Sequence, residues 1–119
     1  MKYLILIYSN PRTRELWGRF SDEERAEGWK AYAALNEELA ASGELIVTEA
    51  LADASQGRRV HVHEGRTTTS DGPFAEVKEH LAGFYLVECD SFERAVERAS
   101  QVPEAAFGLV EVRPVMELR

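Results

Sequence analysis

The chain has 119 residues, 45% hydrophobic and 29% charged, the make-up of one ordinary globular domain spanning residues 1–119. Its 21 acidic and 14 basic residues give a formal net charge of −7, which argues against nucleic-acid binding, since the densest basic pairs are only Arg12/Arg14 and Arg58/Arg59. Composition also argues against disorder and a membrane span. The lone Cys89 cannot form an intramolecular disulfide, which fits a cytoplasmic protein.

Tyr3–Tyr8 is a continuous apolar run bounded by Pro11. Preceded by Lys2 it has the look of a signal peptide, but it is too short and lacks a small-residue cleavage site, so it predicts a strand buried on both faces. An irregular segment with Trp17 and Phe20 follows. Ser21 with Glu24 three positions on forms a capping box, and Ala26, Trp29, Tyr32, Ala33, Leu35, Leu39 and Ala40 recur at helical spacing up to Gly43. A helix over about Asp22–Ser42 is predicted.

Leu45–Leu51 reads as a strand and Ala52–Gly57 as a polar connection. Val60 and Val62 alternate with His61 and His63 and, through Gly65, lead into Arg66–Ser70, which predicts a hairpin. After Asp71-Gly72-Pro73-Phe74 comes the strand Gly83–Cys89. Asp90 and Glu93 start a helix carrying Phe92, Ala95, Val96 and Ala99, which Pro103 closes, and the last strand is about Gly108–Arg113.

Without the hairpin the order is β-α-β-β-α-β, so the expected class is α+β, a ferredoxin-like protomer with an inserted β-hairpin. Its first and third principal strands should be central, and these are the two runs apolar on both faces. Two helices cover one face of such a sheet. The other needs a cover, and a second copy packed sheet on sheet predicts a homodimer.

The densest ionisable group is Glu76, Lys78, Glu79 and His80, just before a buried strand. Such a cluster has two readings: acid–base chemistry at a cavity rim, or a solvated charged loop with weak ion pairs. Glu111 and Arg113 share a strand face, where Arg113 either holds a carboxylate or phosphate ligand or pairs with Glu111 or another carboxylate. His61 and His63 also share a face, but no nearby ligand completes a metal set, so no metal is expected. Cys89, flanked by Glu88 and Asp90, has no basic neighbour in sequence to activate it.

Asp71-Gly72-Pro73-Phe74-Ala75-Glu76-Val77-Lys78-Glu79 followed by Leu81-Ala82-Gly83-Phe84-Tyr85 resembles the signature of the DGPF group of YCII-related proteins. Ser42-Gly43-Glu44-Leu45 and the ending Val110-Glu111-Val112-Arg113-Pro114-Val115 extend the resemblance over nearly the whole chain. It implies a dimeric α+β barrel and names no single reaction. A distant YciI-type branch has a proposed His–Asp dyad with its histidine on the first helix, which this chain lacks before His61. Two functional readings stand beside the plainest one, a purely structural dimer. In one, a polar or anionic small molecule binds near the motif loop, with Lys78 or Glu79 as acid or base, Asp71 as orienter, and Glu76 and Arg113 holding the ligand, in a cofactor-free lyase- or isomerase-like reaction. In the other, the resemblance implies a non-catalytic accessory of an extracytoplasmic-function sigma factor, because such genes are often neighbours or fused.

Overall fold

The computed structural model describes residues 1–74 and 77–118. Along the first strand, β1 (Lys2–Ser9), Tyr3, Ile5 and Ile7 are buried while Leu4, Leu6 and Tyr8 are half-buried. Strand alternation puts these two sets on opposite faces of the sheet.

The segment expected to be irregular is a helix, α1 (Pro11–Arg19). Pro11 ends the strand and also occupies the first helical turn, where its missing N–H costs nothing. Asn10 caps it: the Asn10 side chain accepts from the Thr13 N–H at 2.8 Å, and the Thr13 hydroxyl accepts from the Asn10 N–H at 3.0 Å. α2 (Asp22–Ser42) begins at the expected Ser21–Glu24 box and stops at Gly43, whose φ of 78° is left-handed. Leu35 and Leu39 are its buried residues. Trp29, one of the residues recurring at helical spacing, is 61% exposed and packs edge-on against Trp17 with ring centroids 5.4 Å apart.

β2 (Leu45–Ala50) leads through a 3-10 turn at Ala54–Gln56 into β3 (Arg58–His63) and β4 (Arg66–Asp71). β5 (His80–Glu88), α3 (Phe92–Ala99), a second 3-10 turn at Pro103–Phe107 and β6 (Val110–Pro114) complete the chain. α3 ends before Pro103, which opens the second turn instead of closing the helix. The main sheet has the order β2-β5-β1-β6, antiparallel throughout, with β5 and β1 in the centre. This is the split β-α-β arrangement.

Tyr3, Ile5, Ile7, Tyr85 and Val87 join Leu35 and Leu39 of α2 and Ala95 and Ala99 of α3 in one core on one face of the sheet. The opposite face carries Leu4, Leu6, Phe84 and Leu86, all half-buried. Within α3 the inward stripe is Ala95, Arg98 and Ala99, whereas Phe92 and Val96 are 40% and 44% exposed.

Arg98 is the one charged side chain that is buried among the described residues. Its guanidinium donates to Glu44 at 2.9 Å, Glu38 at 3.0 Å and Gln101 at 3.2 Å. Arg94 reaches the other Glu44 oxygen at 3.0 Å. Burial alone would raise the Glu44 carboxyl, but hydrogen bonds from Arg94, Ser42, Cys89 and Arg98 outweigh it and hold the group at about 2. The network ties the end of α2 to α3 across the domain. Charges desolvated this far hold a structure together only when fully paired, and removing one partner is strongly destabilising.

β3 and β4 form a separate two-stranded sheet joined at Glu64 and Gly65, whose φ values of 49° and 74° suit a tight hairpin turn. All residues of both strands are exposed. The hairpin therefore stands off the domain as an arm. The radius of gyration is 16.5 Å, against about 13.5 Å for a compact chain of this length. No helix among the described residues is long and apolar enough to cross a membrane.

Candidate functional site

At one end of the main sheet, β1 runs out and β5 begins, with Ser9 paired to His80. The 3-10 turn packs against β5 there, and Leu51 donates to the Ala82 carbonyl at 2.8 Å. Both ring nitrogens of His80 are buried, and neither has a hydrogen-bond partner among the described residues. Buried polar atoms are nearly always satisfied, so a histidine left this way calls for an explanation.

Beside it stands Asp53, which caps the 3-10 turn by accepting from the Ser55 N–H at 3.0 Å and pairs with Arg14 of α1 at 2.6 Å. The Asp53 carboxyl lies below its ordinary range, first through Ser55 and then through Arg14 and the neighbouring His80.

Tyr8, also at the end of β1, donates its phenol to Glu111 at 3.1 Å, and Arg113 donates to the other Glu111 oxygen at 3.0 and 2.5 Å. Burial, then the Glu111 hydrogen bond, pushes the Tyr8 phenol up, and the charge of Glu79 adds to this. Arg113 keeps the Glu111 carboxyl low. Of the two readings of Arg113, the protomer shows the pairing with Glu111.

The motif loop is built around close backbone approach. A Cβ on Gly72 would lie 2.5 Å from the Ala54 carbonyl, and the Gly72 N–H donates to the Gly57 carbonyl at 2.9 Å, so only glycine fits there. The Gly72–Pro73 bond is cis. The Arg59 guanidinium lies 4.0 Å from the centre of the Phe74 ring. Asp71 is exposed and faces Arg58 at 3.4 Å, and Lys78 and Glu79 are exposed. Asp71 is therefore engaged by Arg58 of the hairpin, and among the described carboxylates of the motif Glu79 is the one whose charge reaches Tyr8. Glu76 lies outside the described residues. A cleft of about 780 Å³ opens at the far end of β1, between Met1, Lys2 and Glu88 on one side and Val115–Leu118 on the other, and the motif loop does not line it.

His61 and His63 project from one side of the hairpin with their rings 6.4 Å apart, and no group of three or more potential metal ligands gathers among the described residues. Cys89 is buried with its thiol raised to about 11, first by burial and then by a hydrogen bond to Glu44. Arg94 and Arg98 are nearby and oppose the shift, so basic neighbours invisible in the local sequence exist but do not win.

Sequence reasoning grouped His80 with the charged loop and passed over Asp53, Arg14 and Tyr8. Spacing gave no signal for these, because Asp53 and Arg14 come beside His80 only when β1 pairs with β5 and the 3-10 turn folds back, and Tyr8 meets Glu111 only when β1 pairs with β6.

An antiparallel sheet of order β2-β5-β1-β6 with its helices packed on one face defines a ferredoxin-like α+β protein. The YCII-related domain family matches residues 1–119, and the chain belongs to that family. A protein of Rhizobium meliloti (strain 1021), itself uncharacterised, is 31% identical over 117 residues, covering 97% of this chain and 92% of that one. Among solved structures the chain is similar to the 5-chloro-2-hydroxyhydroquinone dehydrochlorinase of Burkholderia phenoliruptrix AC1100 in complex with 2,5-dihydroxybenzoquinone. That likeness has a TM-score of 0.51 at 17% identity, spans 98% of this chain and 94% of the other, and is one of fold.

Proposed function

We propose that the protein binds a small polar or anionic organic molecule at the strand-end cluster and moves a proton to or from it through His80. The observation that carries this reading is the pair of buried ring nitrogens, without a partner among the described residues, beside the Asp53–Arg14 ion pair. A ligand hydroxyl or enol would supply the missing hydrogen bond, with the Asp53–Arg14 ion pair as the charged border of the site. In this reading Lys78 and Glu79, next to His80 in the chain, and Asp71 of the same motif are the groups assigned to border the ligand. A fold relative solved with a hydroxylated quinone makes hydroxylated aromatic compounds the first class to try.

The working unit in this reading is a homodimer. Its support is the sheet face carrying Leu4, Leu6, Phe84 and Leu86, which no helix covers, and an accessible surface of 8576 Å². A compact chain of this mass exposes about 6,500 Å², so the excess is ample for an interface of about 800 Å² per partner.

The test is a thermal-shift screen of hydroxylated and carboxylated aromatic compounds, 2,5-dihydroxybenzoquinone among them, on wild type, His80→Gln and Lys78→Ala. A ligand at a hundred times its Kd should add about 2.7 kcal/mol and several degrees to Tm. The shift is expected to vanish in His80→Gln and shrink in Lys78→Ala. A ligand whose shift survives in His80→Gln places the site elsewhere and overturns the reading.

A further inference from the structure

The β3–β4 hairpin is the least explained part of the molecule. Every residue of both strands is exposed, yet a lone two-stranded hairpin is marginal in water and needs a third strand or another surface to pack on. One face carries Val60 opposite Thr69 and Val62 opposite Thr67, with the valines 67% and 63% exposed. The other carries Arg59, His61, His63 and Arg66. A strand whose apolar residues all lie on one side is patterned to cover something. Its own sheet is not what it covers.

Resting on the homodimer argued above, we propose that each arm packs its Val60–Val62 face on the second copy, and that this contact positions the motif loop of the subunit the arm belongs to. The occupant is a second copy for two reasons. The excess surface and large radius of gyration are those of a chain drawn apart from its partner, and a six-residue strand reaches about 20 Å, far enough to cross a two-fold seam. The arm is also fastened to the site at its root. Arg58 faces Asp71 at 3.4 Å, the Gly72 N–H donates to the Gly57 carbonyl at 2.9 Å, and Arg59 lies over Phe74. Holding the arm therefore holds residues 71–74 against the 3-10 turn that flanks His80, and the site is complete only in the dimer.

The test uses the full chain in three forms: wild type, Val60→Lys/Val62→Lys, and His61→Asn/His63→Asn on the opposite face. Sedimentation velocity gives the dimer Kd, and hydrogen exchange followed by mass spectrometry gives the protection of residues 58–71. The lysine variant is expected to raise Kd about tenfold or more, since two apolar side chains leave their contact, while its far-UV circular dichroism keeps the wild-type shape. Wild-type arm amides are expected to be protected when dimeric and to lose protection on dilution below Kd, whereas His61→Asn/His63→Asn stays within about twofold of wild type. A wild-type chain that is monomeric at every concentration overturns the dimer and this inference together. A dimer that tolerates both lysines, or whose arm amides exchange freely, overturns the arm contact alone and leaves the sheet-face dimer standing. Equal weakening by the histidine variant assigns the contact to the wrong face and overturns it too.

Discussion

Replacing His80 by leucine separates a structural histidine from a functional one. The two side chains are similar in volume, so the exchange removes two buried, unpartnered nitrogens without opening a large cavity. A buried polar group left without a partner costs about 1–3 kcal/mol. Allowing for imperfect repacking, His80→Leu is expected to gain about 1 to 2 kcal/mol, raising Tm by roughly 3–8 °C for a domain of this size. Differential scanning calorimetry at pH 7.5 measures it, at one fixed protein concentration because association also moves Tm. A loss of about 1 kcal/mol or more would refute the reasoning, because the ring would then be making favourable contacts in the assembled protein. A gain in stability combined with loss of ligand response is the pattern of a residue kept for chemistry at the expense of the fold.

Glu44→Gln should destabilise the chain by about 3 kcal/mol at pH 7, because a carboxyl that titrates at about 2 instead of 4.5 carries that much linkage energy. A depressed carboxyl contributes in full above its unfolded value and loses the contribution as pH falls, so urea midpoints of wild type should drop between about pH 4.5 and 2 and those of Glu44→Gln should drop less. Gly72→Ala should cost about 1–3 kcal/mol, since the new methyl meets the Ala54 carbonyl at 2.5 Å, and chemical denaturation will show it. Cys89, buried and with its thiol raised to about 11, should react with iodoacetamide at pH 8 about a hundredfold more slowly than in urea, and faster in Glu44→Gln.

The parts of the fold that were legible are those decided locally. Ser21, Glu24 and Gly43 mark both ends of α2 by themselves, and the runs at Tyr3–Tyr8 and Phe84–Val87 announce central strands because apolar residues on both faces leave little else. α1 escaped notice since none of its residues is buried, so there is no stripe to see, and Pro11 ends a strand as well as it opens a helix. The burial of Arg98 has no local signal, because its partner Glu44 is 54 positions away. The same distance problem hid the site: Asp53 sat in a nondescript polar connection and His80 in a charged run, and only tertiary pairing sets one beside the other.

The strand order also has a consequence for how the chain folds. β1 pairs with nothing near it in sequence; its neighbours are β5 and β6, and β2 too waits for β5. At about 5–20 residues per second, the ribosome makes the first partner of Tyr3–Tyr8 roughly 4–16 s after that segment itself. Throughout that interval a six-residue apolar β-former is unpaired, the kind of segment from which aggregation starts. Among the described strands the one pairing local in sequence is the hairpin arm, so the surface argued to grip a second copy is also the part of the sheet structure whose two strands are both made well before the chain is finished.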